Sequence, residues 1–152
     1  MRAKNTIWKT PGFLIRRLQQ IQVAVFLSEC QEEKITPIQW GILTIVTDFP
    51  NSGHIEISEE LGLDRSNVAN VVTRLVDRGL LSRITNKEDR RRKSINVTEE
   101  GLEIMKKVRA KARRAQDKVL GPLEESEREI FMELLGRLVR ENNHLGRTVL
   151  QL

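Results

Sequence analysis

Between Ile57 and Thr98 the apolar residues change their spacing, and that change leaves few folds open. Ile57 and Leu61 form an i, i+4 pair that stops at Gly62. Asp64 then offers a helix cap, and Val68, Val71, Val72, Leu75 and Val76 follow at i, i+3, i+4, i+7 and i+8. Gly79 closes this second helix as a residue suited to a left-handed position. From there the period falls to two. Leu81-Ser-Arg-Ile-Thr85 and Ser94-Ile-Asn-Val-Thr98 each read as a strand, with the charged stretch Asn86 to Lys93 between them. Two short helices joined by Gly62-Leu63-Asp64, then a hairpin with a long basic tip, predict a winged helix-turn-helix.

Longer helices flank this unit. Pro11-Gly12 opens a helix whose stripe is Leu14, Leu18, Ile21 and Val25, and which is expected to run to about Glu33. Thr36-Pro37-Ile38-Gln39 is a helix start with a capping box. Asp48 to Gly53 is a loop by composition. After Glu99, Leu102, Met105, Val108, Ala112, Ala115 and Val119 approach a heptad seam, broken at Gly121-Pro122. Ser126-Glu-Arg-Glu129 reads as the capping box of a last helix lined by Ile130, Phe131, Leu134, Leu135, Leu138 and Val139. The fold expected is mainly α with a small β-hairpin wing. Residues 36–98 form the winged helix-turn-helix DNA-binding domain, and 11–33 with 99–145 form a helical dimerisation region.

Charge points to a polyanion partner. The chain has 152 residues and a net charge of +5. Residues 82–93 carry +4 and 101–118 carry +5, so everything else sums to −4. In 101–118 the charges spread around a helical wheel and read as a solvated face. The run Arg90 to Lys93 is different, because four adjacent cations repel and need an anion to face.

The second short helix presents Arg65, Ser66, Asn67, Asn70, Thr73 and Arg74 on the side opposite its apolar stripe. A side-chain amide donates and accepts together, so Asn67 and Asn70 can pair with adenine in the major groove. Ser66 can bond a base or a phosphate, Arg74 can reach guanine or backbone, and Arg65 is a further DNA-contact candidate. In the hairpin tip, Lys87, Arg90, Arg91 and Arg92 can follow the backbone and place a guanidinium in a narrow minor groove. Asp89 can hold one of those arginines in a fixed orientation, or serve simply as a turn residue.

Other chemistries find little support. There is no nucleophile elbow, phosphate-binding glycine loop or HExxH pair, so an enzyme is not expected. One cysteine and two histidines, His54 and His144, are too few for a thiolate and imidazole zinc site, and no cofactor is expected. The longest apolar run, Val23 to Leu27, is far short of a membrane span, and no signal peptide is visible. A cytoplasmic protein fits these features. A rival reading is a dimeric helical interaction protein whose basic hairpin binds RNA or an acidic partner.

The chain resembles the MarR (multiple antibiotic resistance regulator) family of bacterial transcription regulators over nearly its whole length. Four stretches carry the likeness: Thr36-Pro-Ile-Gln-Trp40, Ile57-Ser-Glu-Glu-Leu-Gly-Leu-Asp-Arg-Ser-Asn-Val68, Val76-Asp-Arg-Gly-Leu-Leu81 and Asp89-Arg-Arg-Arg-Lys-Ser-Ile-Asn-Val-Thr98. The resemblance implies that Arg91 is the minor-groove arginine, that Asp89 orients it, and that Ser66, Asn67 and Asn70 face the major groove. It implies a homodimer on a palindromic operator, usually as a repressor. The apolar stripes of the first and last two helices, which lack an obvious partner in one small domain, agree with isologous pairing.

Family members commonly release DNA when a small aromatic acid or its thioester binds. The opening Pro11 to Ile21 is similar to a subset controlling aromatic-acid catabolism. Arg16 or Arg17 can receive the carboxylate and Trp40 can stack on the ring; the alternatives are surface charges and a core tryptophan. Oxidation of Cys30 is a second candidate switch, set against a plain packing role.

Overall fold

Each helix starts where a local cap or proline allows it. The computed structural model describes residues 6–85 and 93–150. A 3-10 turn, Thr6–Lys9, leads into α1 (Pro11–Glu29), α2 (Pro37–Asp48), α3 (His54–Leu61) and α4 (Arg65–Asp77). Strands β1 (Leu81–Thr85) and β2 (Lys93–Val97) follow, then α5 (Glu99–Leu120), α6 (Glu125–Asn142) and a closing 3-10 turn, Asn143–Leu145. Pro11 and Pro37 sit in the first turns of α1 and α2, where a missing N–H costs nothing. The Thr36 hydroxyl accepts from the Gln39 N–H at 3.2 Å, and Gln39 Oε1 accepts from the Thr36 N–H at 3.1 Å. Asp64 and Thr98 cap α4 and α5 in the same manner, accepting from Asn67 N–H and Gly101 N–H at 2.9 and 3.0 Å.

Two boundaries differ from the sequence expectation. α1 ends at Glu29 and not near Glu33. The chain turns through 30–34, with Lys34 left-handed at φ 52°, so that Ile35 enters the core. α6 is capped by Glu124, whose N–H donates to Glu127 Oε2 at 2.8 Å. The Ser126 box is therefore displaced by two residues, because an overlapping box of acidic residues lies just upstream.

One core joins all the elements up to α5. Ile42, Leu43 and Val46 of α2 meet Ile57 of α3, Val68, Val72 and Leu75 of α4, and Leu81 and Ile95 of the hairpin. Phe26, Cys30 and Ile35 close it from α1, and Met105, Val108, Ala112 and Ala115 from α5. Each such aliphatic side chain contributes on the order of 1.5–3 kcal/mol through burial. The antiparallel strands pair from Leu81↔Val97 to Thr85↔Lys93. Ser52 adds a short third rung, its carbonyl accepting from the Ile95 N–H at 2.9 Å. The stretch read as plain loop is thus fastened to the hairpin.

The start of α5 packs on the end of α4 without space to spare. The Thr98 hydroxyl donates to the Gly79 carbonyl at 2.6 Å. A Cβ on Gly101 would lie 2.2 Å from the Leu80 carbonyl oxygen.

By contrast, α6 buries none of its residues, and Ile130, Met132, Leu134, Leu138 and Val139 are exposed. Leu14, Ile15, Leu18 and Ile21 of α1 are exposed as well. Between α1, α5 and α6 lies an apolar groove of about 560 Å³, lined by residues that include Leu14, Leu18, Val119, Phe131 and Leu135.

Candidate nucleic-acid interface

The core fixes which side of α4 faces outward. With Val68, Val72 and Leu75 buried, Arg65, Ser66, Asn70, Thr73 and Arg74 are exposed and Asn67 is half-buried. Of the six recognition-helix residues named from the sequence, Ser66, Asn70, Thr73 and Arg74 therefore face away from the core, and Arg65 and Asn67 flank them in the first turn. The Ser66 hydroxyl already donates to Asp64 Oδ1 at 2.6 Å, which leaves its oxygen free only to accept. That bond, with the Asn67 N–H, holds the Asp64 carboxyl below its ordinary range.

The hairpin is fastened to this helix and to the loop before α3. Arg83 of β1 donates from its terminal nitrogen to the Thr73 hydroxyl at 3.0 Å. Asn96 of β2 and Asn51 bond reciprocally: the Asn51 N–H donates to Asn96 Oδ1, and Asn96 Nδ2 donates to Asn51 Oδ1, both at 3.0 Å. Asn51 takes a left-handed φ of 65° to do so. Neither link was visible in the sequence. A basic residue two positions after the buried Leu81 was the only hint of the first. The tip residues Lys87, Asp89, Arg90, Arg91 and Arg92 lie outside the described residues.

Past α6, the chain returns to the same region. Asn143 and Leu150 bond reciprocally, main chain to side-chain amide, both at 2.9 Å. Leu150 lies over Gly62, where a Cβ would be 3.0 Å from Leu150 Cδ2. Arg147, Thr148 and Val149 thereby line a depression shared with Asp64, Arg65 and Ser66 at the start of α4. Nothing in the sequence marked this approach.

The remaining candidates fall elsewhere. Arg16 and Arg17 are exposed on α1, Arg16 lying 5.4 Å from the Phe13 ring centroid and Arg17 bonding Gln20 at 3.3 Å. Trp40 is half-buried and packs on the core. Cys30 is fully buried, and burial, followed by the nearby Glu33, pushes its thiol up. A thiol that is both inaccessible and protonated is a poor target for oxidants, so the redox switch read from the sequence gives way to a packing role. His54 is held below its usual value by burial, then by Arg83 and Lys93. Among the described residues no group of His, Cys, Asp or Glu could hold a metal ion, and no helix is long and apolar enough to cross a membrane.

A helix-turn-helix whose second helix presents guanidinium and amide groups, followed by a basic hairpin, defines a winged-helix transcription regulator. Comparison with known proteins gives the same class and narrows it. The MarR family model matches residues 35–93. The crystal structure of the PcaV transcriptional regulator from Streptomyces coelicolor, in complex with its natural ligand, is 33% identical with a TM-score of 0.81, over 92% of this chain and 98% of that one. BpsR of Bordetella bronchiseptica, whose DNA binding is regulated by 6-hydroxynicotinic acid, is 26% identical with a TM-score of 0.79, over 85% and 92%. The transcriptional repressor NicR of Pseudomonas putida is 25% identical over 135 residues, 89% of this chain and 85% of NicR. The chain belongs to the MarR family, whose members are transcription regulators and not enzymes.

Proposed function

We propose that the protein is a sequence-specific double-stranded DNA-binding repressor, released by a small aromatic acid or its thioester. The observation that carries the DNA reading is the outer surface of α4, where Ser66, Asn70, Thr73 and Arg74 face away from the buried Val68, Val72 and Leu75, with Arg65 exposed and Asn67 half-buried in its first turn. Those side chains match the donor and acceptor edges of bases in the major groove. Lys87, Arg90, Arg91 and Arg92 would contact backbone and minor groove, with Asp89 orienting Arg91.

The reading includes a homodimer on a palindromic operator. The exposed apolar faces of α1 and α6 and the groove between them support it, since a second copy would remove them from water. In this division 36–98 reads DNA while 11–33 and 99–145 hold the two copies together. The effector class is supported by PcaV, solved with a natural ligand, and by BpsR, which answers to 6-hydroxynicotinic acid, an aromatic carboxylate. Arg16 or Arg17 would receive the carboxylate, and Trp40 would stack on the ring.

Fluorescence anisotropy tests this directly. The duplex upstream of the protein's own gene is compared with a scrambled duplex over a salt series, with and without aromatic acids and their coenzyme A thioesters. Selective, salt-sensitive binding released by one compound is expected. Equal binding to both duplexes would overturn the repressor. Selective binding that no compound releases would overturn the effector class alone.

A further inference from the structure

The end of α4 farthest from its cap is held by a side chain to which the sequence assigns no role beyond ending the helix. Arg78, the residue after α4, donates to the carbonyls of Lys34 at 2.8 Å and Glu33 at 2.9 Å, with Gln39 Oε1 at 3.5 Å. These carbonyls belong to the turn between α1 and α2. A planar guanidinium can serve both at once, which an ammonium on a flexible stem does less well. The same Glu33 reaches α5. Its carboxylate takes Lys111 Nζ on both oxygens, at 2.8 and 2.9 Å, and Lys111 also binds Glu32 at 2.7 Å. The Glu33 and Lys111 side chains are only 7% and 19% exposed. An unbroken set of polar contacts thus runs from α5 through one residue of the turn to the end of α4.

The lever arm gives this weight. The 13 residues of α4 span about 20 Å, so a tilt of about 5° about Arg78 moves the opposite end by roughly 1.7 Å. That exceeds the whole range over which a hydrogen bond to a base edge survives. Arg65, Ser66 and Asn67 lie at that moving end.

We infer that Arg78, Glu33 and Lys111 are positioning residues for DNA recognition, fixing the tilt of α4 against α5 without touching DNA. The inference rests on the sequence-specific binding proposed above. The test therefore begins with the wild-type protein and a random-sequence duplex pool. Failure to enrich any sequence sinks the DNA reading itself. With an enriched duplex in hand, Arg78→Lys, Lys111→Met, Lys111→Arg and the double variant Arg78→Lys/Lys111→Met are titrated well below their melting temperatures.

Arg78→Lys and Lys111→Met should each lose about tenfold on the enriched duplex, as when a bidentate base contact slips. They should lose little on random DNA, and the salt slope should not change. Lys111→Arg should bind like wild type, and the double variant should lose no more than its worse parent. Wild-type affinity in both single variants overturns the inference, whatever their melting temperatures. So does an equal loss on both duplexes with a shallower salt slope, which would make Arg78 a phosphate contact. Losses that multiply in the double variant would overturn it too.

Discussion

The Arg83 guanidinium and the Thr73 hydroxyl meet at 3.0 Å, tying the first strand of the hairpin to the exposed face of α4. Thr73 also donates to the Ala69 carbonyl at 2.9 Å, so its oxygen is already aimed. Thr73→Val keeps the shape and removes the acceptor. Losing one exposed hydrogen bond of about 0.5–1 kcal/mol should cost DNA affinity a factor of about 2 to 5, with helix content unchanged. Circular dichroism and anisotropy on the same samples check both halves, and an unaltered affinity would mean the hairpin is oriented by other contacts.

Asn70 and Arg91 should fail in different ways. Asn70→Ala should lose about 1–3 kcal/mol on the preferred duplex and little on scrambled DNA, since a base contact specifies. Arg91→Ala should weaken binding strongly. If Arg91→Ala binds as wild type does, the assignment of the hairpin to the minor groove is wrong. Uniform loss for Asn70→Ala would move that residue to the phosphate contacts.

Gly101→Ala should destabilise the fold by about 3 kcal/mol, because the intruding methyl meets backbone, which cannot swing away. Thermal unfolding should show a fall of roughly 6–12 °C for a chain of this size. A change under about 0.5 kcal/mol would mean that α5 shifts freely against Leu80.

The ion pair between Glu33 and Lys111 sets a pH window. Lys111 holds Glu33 below its ordinary 4.5, and Glu32 and Glu33 hold Lys111 above its ordinary 10.5. A lowered carboxyl stabilises above its unfolded value and loses that stabilisation as pH falls through its folded one. A raised ammonium stabilises below its unfolded value and loses this as pH rises through its folded one. The stability difference between wild type and Lys111→Met should therefore be flat between these limits and shrink below 4.5 and above 10.5. Denaturant midpoints across pH would show it, and a difference independent of pH in acid would remove the pair from the account.

Cys30 should resist thiol reagents in the native protein and react fully once denaturant is added. Rapid labelling of the folded protein would restore oxidation as a switch.

What the sequence revealed and what it hid divide by chain distance. The caps at Thr36 and Asp64 join residues three apart, so their chemistry is written locally. The outward face of α4 was equally legible, because the apolar period alone fixes the opposite side. Asn51 with Asn96 and Arg78 with Glu33 join residues 45 apart, and no local pattern pairs them. The cap of α6 was misplaced because Glu124-Glu127 and Ser126-Glu129 offer two overlapping boxes, and three-residue spacing cannot choose between them. The basic tip was named for its charge, which composition shows, while the contacts that fasten the two strands required the fold.

The docking of Leu150 over Gly62 bears on how the protein should be handled at the bench. An affinity handle or fluorescent reporter carried on Arg147, Thr148 or Val149 would stand beside Asp64, Arg65 and Ser66. It would crowd the surface whose affinity was being measured, so a weak binding curve from such a protein would describe the handle. Labels for these titrations belong on the DNA duplex, away from the start of α4.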